Sequence, residues 1–342
     1  MKKIILMAVI ASSLISFSCN KDNASENNVA ITEIVEGFES KPFKFGDKIN
    51  IDTSALKDID KVRITVDDKE IPNGSIISKD IVGLGNHSIF IEFLKGDEVK
   101  NSRDFTFVVL GEEAPKTWTY DLVNTYPHNN TYFTQGFYYK DGNIFEGTGL
   151  RNETRLAKYK LGSTTPEKEY KLADDVFGEG ITELDGKIYQ LTWQDRVGYT
   201  YDQDFKQIEK FNLPGMIIEG WGVTTVGDEL AVSEGTQRIH FFDKDLNYKR
   251  TIQAVDNQNI YLKLNELEYH DGLIYANVYE SNTILAIDPA TGQVKAKFDL
   301  SEFKPKQTNP QADVLNGIAF KDGNMLVTGK KWDHIYELKI KK

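Results

Sequence analysis

Gln135-Gly136-Phe137-Tyr138-Tyr139-Lys140-Asp141-Gly142 is a β-rich run that ends on Asp-Gly, and it recurs along the chain. Its counterparts are Glu179-Gly180-Ile181-Thr182-Glu183-Leu184-Asp185-Gly186, Trp221-Gly222-Val223-Thr224-Thr225-Val226-Gly227-Asp228, Asn265-Glu266-Leu267-Glu268-Tyr269-His270-Asp271-Gly272 and Asn316-Gly317-Ile318-Ala319-Phe320-Lys321-Asp322-Gly323. Taking Gly142, Gly186, Asp228, Gly272 and Gly323 as equivalent, the spacings are 44, 42, 44 and 51. A period near 44 belongs to four-stranded propeller blades, and Asp-Gly between two β-rich runs marks a hairpin. The repeat therefore predicts an all-β fold with a five-bladed β-propeller over residues 116–342. A sandwich array would not keep so regular a period.

The repeat also places side chains. The first strand of each hairpin is expected to line the central channel, and it begins with Gln135, Glu179, Trp221, Asn265 or Asn316. In an antiparallel hairpin the start of the first strand faces the end of the second. The second strands end at Gly149, Trp193, Gly235, Tyr279 and Lys330, so both sets are expected at one mouth of the channel. Phe133, Phe177 and Trp332 lie beside them in sequence and are expected to thicken an aromatic wall. Inner-strand polar residues also occur where they only hydrogen-bond one another around a channel. Here, however, equivalent positions carry different residue types, as a binding site requires.

Outward from the repeat, residues 29–112 alternate with period two, as in Lys61-Val62-Arg63-Ile64-Thr65-Val66-Asp67 and His87-Ser88-Ile89-Phe90-Ile91-Glu92-Phe93. That pattern predicts a small immunoglobulin-like β-sandwich preceding the propeller, with Gly111-Glu112-Glu113-Ala114-Pro115 as the linker. Residues 20–28 read as a flexible tether. Residues 1–19 read as a signal peptide: Lys2 and Lys3 precede an apolar run from Ile4 to Ile15, and small residues then lead to Cys19. The pattern resembles a bacterial lipoprotein signal, with Ser16 where leucine is usual, and the competing reading is an ordinary secretory leader. The lipoprotein reading places the protein at the cell envelope, membrane-anchored through a lipidated Cys19. Cys19 is the sole cysteine, which leaves the mature body without a disulfide or a thiol nucleophile.

The net charge of −11 argues against a nucleic-acid partner. No His-Glu-x-x-His, phosphate loop or Gly-x-Ser-x-Gly elbow is present. The five histidines show no metal-ligand spacing. No metal ligand is assigned.

Tyr126-Pro127-His128, Phe133-Thr134-Gln135-Gly136, Phe177-Gly178-Glu179-Gly180-Ile181-Thr182, Gln190-Leu191-Thr192-Trp193, Glu219-Gly220-Trp221-Gly222, Leu264-Asn265-Glu266-Leu267-Glu268 and Thr328-Gly329-Lys330-Lys331-Trp332 resemble, in order, the plant and bacterial glutaminyl cyclases. The resemblance implies a five-bladed propeller that converts an N-terminal glutamine into pyroglutamate with loss of ammonia. It implies a pocket of Phe133, Gln135, Phe177, Glu179, Trp193, Trp221, Asn265 and Lys330, with Tyr279 where the family commonly has tryptophan. Arg151 stands where the family often has an aromatic residue. On this reading Glu179 moves the proton, Lys330 and Asn265 stabilise the oxyanion, and Gln135, Asn316 and the aromatic residues hold the substrate. No cofactor is required, a structural calcium stays open, and a monomer is expected. The alternatives are a non-catalytic envelope propeller that binds peptide or glycan, and a metal-dependent lactone hydrolase on a similar frame.

Overall fold

The computed structural model describes residues 21–342, so the expected signal peptide and Cys19 lie outside the described residues. The fold is all-β apart from one helix and a single 3₁₀ turn among the described residues. The chain divides into two compact units.

The smaller unit comprises the chain up to Lys41 together with Ile49–Ser75 and Ser88–Thr106. It opens on helix α1 (Lys21–Glu39), where the sequence had suggested a tether followed directly by strands. The apolar residues Ile31, Ile34, Val35 and Phe38 recur at helical spacing, a pattern that the period-two reading does not register. Ile31 and Phe38 are buried, and Phe38 packs edge-on against Phe105 at 5.8 Å. Asn27 pairs with both the N–H and the carbonyl of Lys57, at 2.9 and 2.7 Å. The strands that follow are β1 (Lys48–Ile49), β2 (Lys61–Val66), β3 (Lys69–Ile71), β4 (Ser75–Ile76), β5 (Gly85–Lys95) and β6 (Glu98–Val109). They make a four-stranded sheet of order β3-β2-β5-β6 and a short β1-β4 pair.

The larger unit takes in Pro42–Lys48 and Ile76–His87, both inside the expected sandwich, as well as Phe107–Lys342. The reasons are local: Asn86 exchanges two hydrogen bonds with the Gln253 side chain, at 2.9 and 2.8 Å, and Phe43 bonds the Val108 carbonyl and the Leu110 N–H, at 2.7 and 2.8 Å. After β7 (Lys116–Thr117) and β8 (Thr119–Pro127) the chain forms consecutive sheets. The first is β9 (Thr134–Lys140), β10 (Asn143–Thr148), β11 (Arg155–Lys160) and β12 (Lys168–Lys171). The second is β13 (Gly178–Leu184), β14 (Lys187–Thr192), β15 (Val197–Tyr201) and β16 (Gln207–Asn212). The third is β17 (Val223–Val226), β18 (Glu229–Ser233), β19 (Arg238–Phe242) and β20 (Tyr248–Gln253). The fourth is β21 (Leu264–His270), β22 (Leu273–Val278), β23 (Thr283–Ile287) and β24 (Val294–Asp299), with β7 parallel on its edge. The last is β25 (Leu315–Lys321), β26 (Asn324–Gly329) and β27 (His334–Lys341), with β8 supplying the fourth strand.

The hairpins form where the Asp-Gly pairs stand. Asp141 and Gly142 have φ of 49° and 81°, and Asp185-Gly186, Asp271-Gly272 and Asp322-Gly323 repeat the positive pair. Two positive φ values match the right-handed twist of the flanking strands. In the second sheet burial falls outward: β14 is buried at all but its first residue, whereas the fourth strand β16 is almost wholly exposed. Each apolar cluster draws on two consecutive sheets. One joins Phe145 to Ile188, the next Leu191 to Val232, and so on to Ile144 and Leu326, which join the first sheet to the last. The first strands also touch in a circuit: β9 with β13, β13 with β17, β17 with β21, β21 with β25, and β25 with β9.

That circuit is tight. A Cβ on Gly136 would lie 2.2 Å from the Ile181 nitrogen, and one on Gly222 would lie 2.1 Å from the Asn265 carbonyl oxygen. Both obstacles are backbone, so they cannot rotate away. Gly222→Ala is expected to destabilise the protein by about 1–3 kcal/mol in urea unfolding. Gly215→Ala, whose Cβ would meet nothing within 4 Å, should stay within about 0.5 kcal/mol of the parent.

Candidate active site

The first strands do more than approach one another. Between Gly178 and Ile181 the register of β13 against β14 shifts, so two residues of β13 face one of β14. The same shift occurs between Leu264 and Leu267 and between Leu315 and Ile318. In β9, Gln135 is the extra residue between Thr134 and Gly136. A bulge bends its strand and re-aims a side chain. The residues so treated are Gln135, Glu179, Asn265 and Asn316, each at the start of a first strand.

These residues meet. Gln135 Nε2 donates to Glu179 Oε1 at 3.0 Å, and Asn316 Nδ2 donates to Gln135 Oε1 at 3.2 Å and to the Thr134 carbonyl at 3.0 Å. Glu179 is 4 % exposed, Gln135 3 % and Lys330 3 %. Burial drives the Glu179 carboxyl well above the ordinary carboxylate range, the Lys330 charge pulls it back in part, and Glu219 adds to the rise. Burial likewise lowers Lys330, against the pull of Glu179 and Asp313. The Lys330 ammonium lies 4.6 Å from the Phe133 ring centroid and 5.1 Å from that of Tyr279, a cation–π setting.

An aromatic wall surrounds this group. Phe133 meets Phe177 edge-on at 6.4 Å, Phe177 meets Trp193 at 5.3 Å, and Trp221 meets Tyr279 edge-on at 5.5 Å. All five are half-buried, with part of each ring reachable. Asn265 and Asn316 are buried, and the Oδ1 of each has no hydrogen-bond partner in the protein.

Trp332 departs from expectation. It is 0 % exposed and packs in the core between the last two sheets, with its Nε1 donating to the Asp313 carbonyl at 2.9 Å. It braces the Lys330 turn from behind and forms no part of the wall. Sequence adjacency to Lys330 misled because successive residues leave a tight turn in different directions.

Three contributors escaped the sequence reading. Glu219 accepts from Trp193 Nε1 at 2.8 Å and Trp221 Nε1 at 3.1 Å, and no repeat position marks it. Asp195 accepts the Phe177 N–H at 3.1 Å and pairs with Arg151 at 3.3 Å, which gives Arg151 a place at the rim. Glu146 is fully buried and accepts from Thr134 at 2.7 Å, from Tyr159 at 2.5 Å and from His128 at 3.0 Å. Burial opposes the His128 charge, yet Glu146 and the Trp332 carbonyl outweigh it and hold that imidazole above its ordinary value. His128 thereby ties the strand of Gln135 to the turn of Lys330. Among the described residues no three His, Cys, Asp or Glu side chains gather as metal ligands.

The pocket has a stability signature. A carboxyl whose folded pKa is raised contributes stability at low pH that is lost as pH rises through the folded value. Glu179→Gln removes that loss, so its Tm relative to the parent should increase from pH 5 to pH 9 in calorimetric scans. A gap that shrinks with pH would contradict the burial account.

The sequence profile of the glutamine cyclotransferase family matches residues 96–340. A glutaminyl-peptide cyclotransferase of Arabidopsis thaliana is 32 % identical over 234 residues, which span 65 % of this chain and 71 % of that protein. The crystal structure of Myxococcus xanthus glutaminyl cyclase is similar with a TM-score of 0.61 and 31 % identity, over 66 % of this chain and 98 % of that one. The match covers all of the residues gathered around Glu179, and the chain belongs to the glutamine cyclotransferase family.

Proposed function

We infer that the protein is a glutaminyl-peptide cyclotransferase, an acyltransferase that converts the N-terminal glutamine of peptides or proteins to pyroglutamate and ammonia. The observation that carries the reading is Glu179: a buried carboxyl of raised proton affinity, bonded to Gln135, facing Lys330 and walled by aromatic rings. Cyclisation joins the α-nitrogen to the side-chain amide carbon and then breaks that carbon's bond to the amide nitrogen. The enzyme's first task is to select the folded-back conformer, which the aromatic wall does by enclosing the side chain and excluding water.

The amine must lose a proton, and its free pKa is about 7.7–8.0. A carboxylate of ordinary pKa is a weak base for it; burial brings Glu179 closer to a match. Glu179 takes the proton from the attacking nitrogen and returns it to the leaving ammonia. Lys330 and Asn265 donate to the oxyanion formed on the amide oxygen. Gln135 orients the Glu179 carboxylate, and the unpaired Oδ1 atoms of Asn265 and Asn316 accept from substrate N–H groups.

The same proposal reads the five sheets as blades of a propeller, supported by the circuit of first strands and by the clusters between consecutive sheets. It reads the N-terminal sheet as an immunoglobulin-like module. It reads the chain as an exported lipoprotein, on the strength of the leader pattern before Cys19, and takes it to act as a monomer without a cofactor. Intact mass of detergent-extracted protein should show a chain beginning at a diacylated Cys19; a mature chain starting elsewhere overturns the anchor.

A Gln-initiated peptide incubated with the enzyme should release ammonia and lose about 17 Da, the mass of NH₃. Glu179→Gln should lower kcat by about 10²–10⁴-fold with the fold intact. The acidic limb of the parent kcat/KM profile should lie above the usual carboxylate range. Full activity of the Gln variant would overturn the assignment.

A further inference from the structure

We propose that Glu219 is a positioning residue of this site: its carboxylate clamps the two indole walls together and presents a fixed negative charge to Glu179. The proposal rests on the cyclotransferase reading for its kinetic consequences and on the contacts alone for its structural ones.

Glu219 lies in the segment between β16 and β17. Its Oε2 accepts from Trp193 Nε1 at 2.8 Å and Trp221 Nε1 at 3.1 Å, and its Oε1 accepts from Gln194 Nε2 at 3.0 Å. The two indoles flank strands of different sheets, Trp193 after β14 and Trp221 before β17, and each begins an arm of ring contacts. One arm runs from Trp193 to Phe177 and Phe133, and the other from Trp221 to Tyr279. Both end beneath the Lys330 ammonium, 4.6 Å from Phe133 and 5.1 Å from Tyr279. The aromatic wall is therefore a closed loop, fastened at one side by an anion and at the other by a cation. Glu179 feels both: Lys330 and Glu219 are the charges that face it, and the Tyr279 phenol feels Glu179 in turn.

The segment is built to hold this geometry. Ile217 is fully buried, and the Gly220 N–H donates to the Thr192 carbonyl at 3.2 Å, with no room there for a Cβ. Three converging N–H donors require an acceptor at every position, which an ionised carboxylate supplies. An amide would turn its own N–H₂ towards a donor. Burial works against the Glu219 charge, but bonds from Gln194, Trp193 and Trp221 hold its carboxyl below the ordinary range, so it remains an anion when Glu179 takes up a proton.

The test uses the full-length enzyme, Glu219→Gln and Glu219→Asp. The four tryptophans give four indole N–H cross-peaks in an NMR correlation spectrum. In Glu219→Gln those of Trp193 and Trp221 should move upfield, while those of Trp118 and Trp332, both buried in the core away from Glu219, stay in place. kcat/KM should fall about 10- to 100-fold, the effect of losing charged hydrogen bonds. The acidic limb should move to lower pH, because a negative charge facing Glu179 is gone. Glu219→Asp keeps the charge but not the reach: KM should rise with the limb in its original place. Unmoved Trp193 and Trp221 signals, or an activity loss without a shift of the limb in Glu219→Gln, would overturn the proposal. Movement of the Trp118 and Trp332 signals marks a folding defect, and the Asp variant then decides by the same readouts. If the parent shows no cyclase activity, the functional reading fails while the indole signals still judge the clamp.

Discussion

Everything at this site depends on how closely the first strands approach one another. Where Gly136 and Gly222 stand, the neighbouring backbone occupies the space that a Cβ would need. Each of these glycines directly follows a residue of the pocket, Gln135 or Trp221. Glycine lets adjacent strands touch, and where the strand also bulges, as at Gln135, the extra residue is re-aimed; β17 keeps a regular register behind Gly222. The fourth sheet makes the exception. There Glu266 replaces glycine, and its buried carboxylate accepts the Ile318 N–H at 2.9 Å across the circuit. A side chain thus supplies a strand-to-strand bond of the kind that the Gly180 N–H makes to the Trp221 carbonyl at 2.7 Å.

The arrangement is costly in local stability. A buried carboxyl and a buried ammonium sit together without a direct ion pair, each displaced from its ordinary proton affinity. Isolated charges in a low-dielectric interior cost several kcal/mol. The clusters between sheets offset this, and the His128–Glu146 pair behind the pocket fixes the two elements that carry Gln135 and Lys330. That pair satisfies both ring nitrogens of His128, whereas the Oδ1 atoms of Asn265 and Asn316 in the site are left without a partner.

The sequence disclosed this fold where a local rule dictates it. Asp141-Gly142 and its counterparts demand tight hairpins, and their spacing counts the sheets; the strand starts then follow by register. It was silent where geometry comes from distant contacts. Helix α1 was missed because four apolar residues at helical spacing lie beside a long alternating stretch, and propensity alone favours neither reading. Trp332 was misplaced because adjacency in a turn says nothing about direction. Glu219 stands in a motif shared with the family but carries no role in the sequence reading, because its partners Trp193 and Trp221 flank strands of two different sheets and nothing in the spacing of the repeat requires an acceptor between them. The bulges are equally invisible in sequence, since an extra residue shows only when the partner strand is known.

Carboxylates near the circuit show how environment, rather than residue type, assigns roles. Glu219 is half-buried but receives three N–H bonds, and stays charged. Glu266 is fully buried with backbone donors that do not offset its burial, so its proton affinity stays high and its work is structural. Glu268, further along the same strand, is pushed up to about 8 by burial against a single hydroxyl donor, Thr224. Glu179 differs from all of these in having a cation within reach and an amide that orients it. High proton affinity alone would make Glu266 and Glu268 equally good candidates for the base. What separates Glu179 is its setting: it alone among these raised carboxyls feels the Lys330 charge beside the aromatic wall, as the proposed base role requires. Environments that push the proton affinities of neighbouring carboxylates apart are how one chain obtains both a fixed charge and a readily protonated carboxyl from the same side chain.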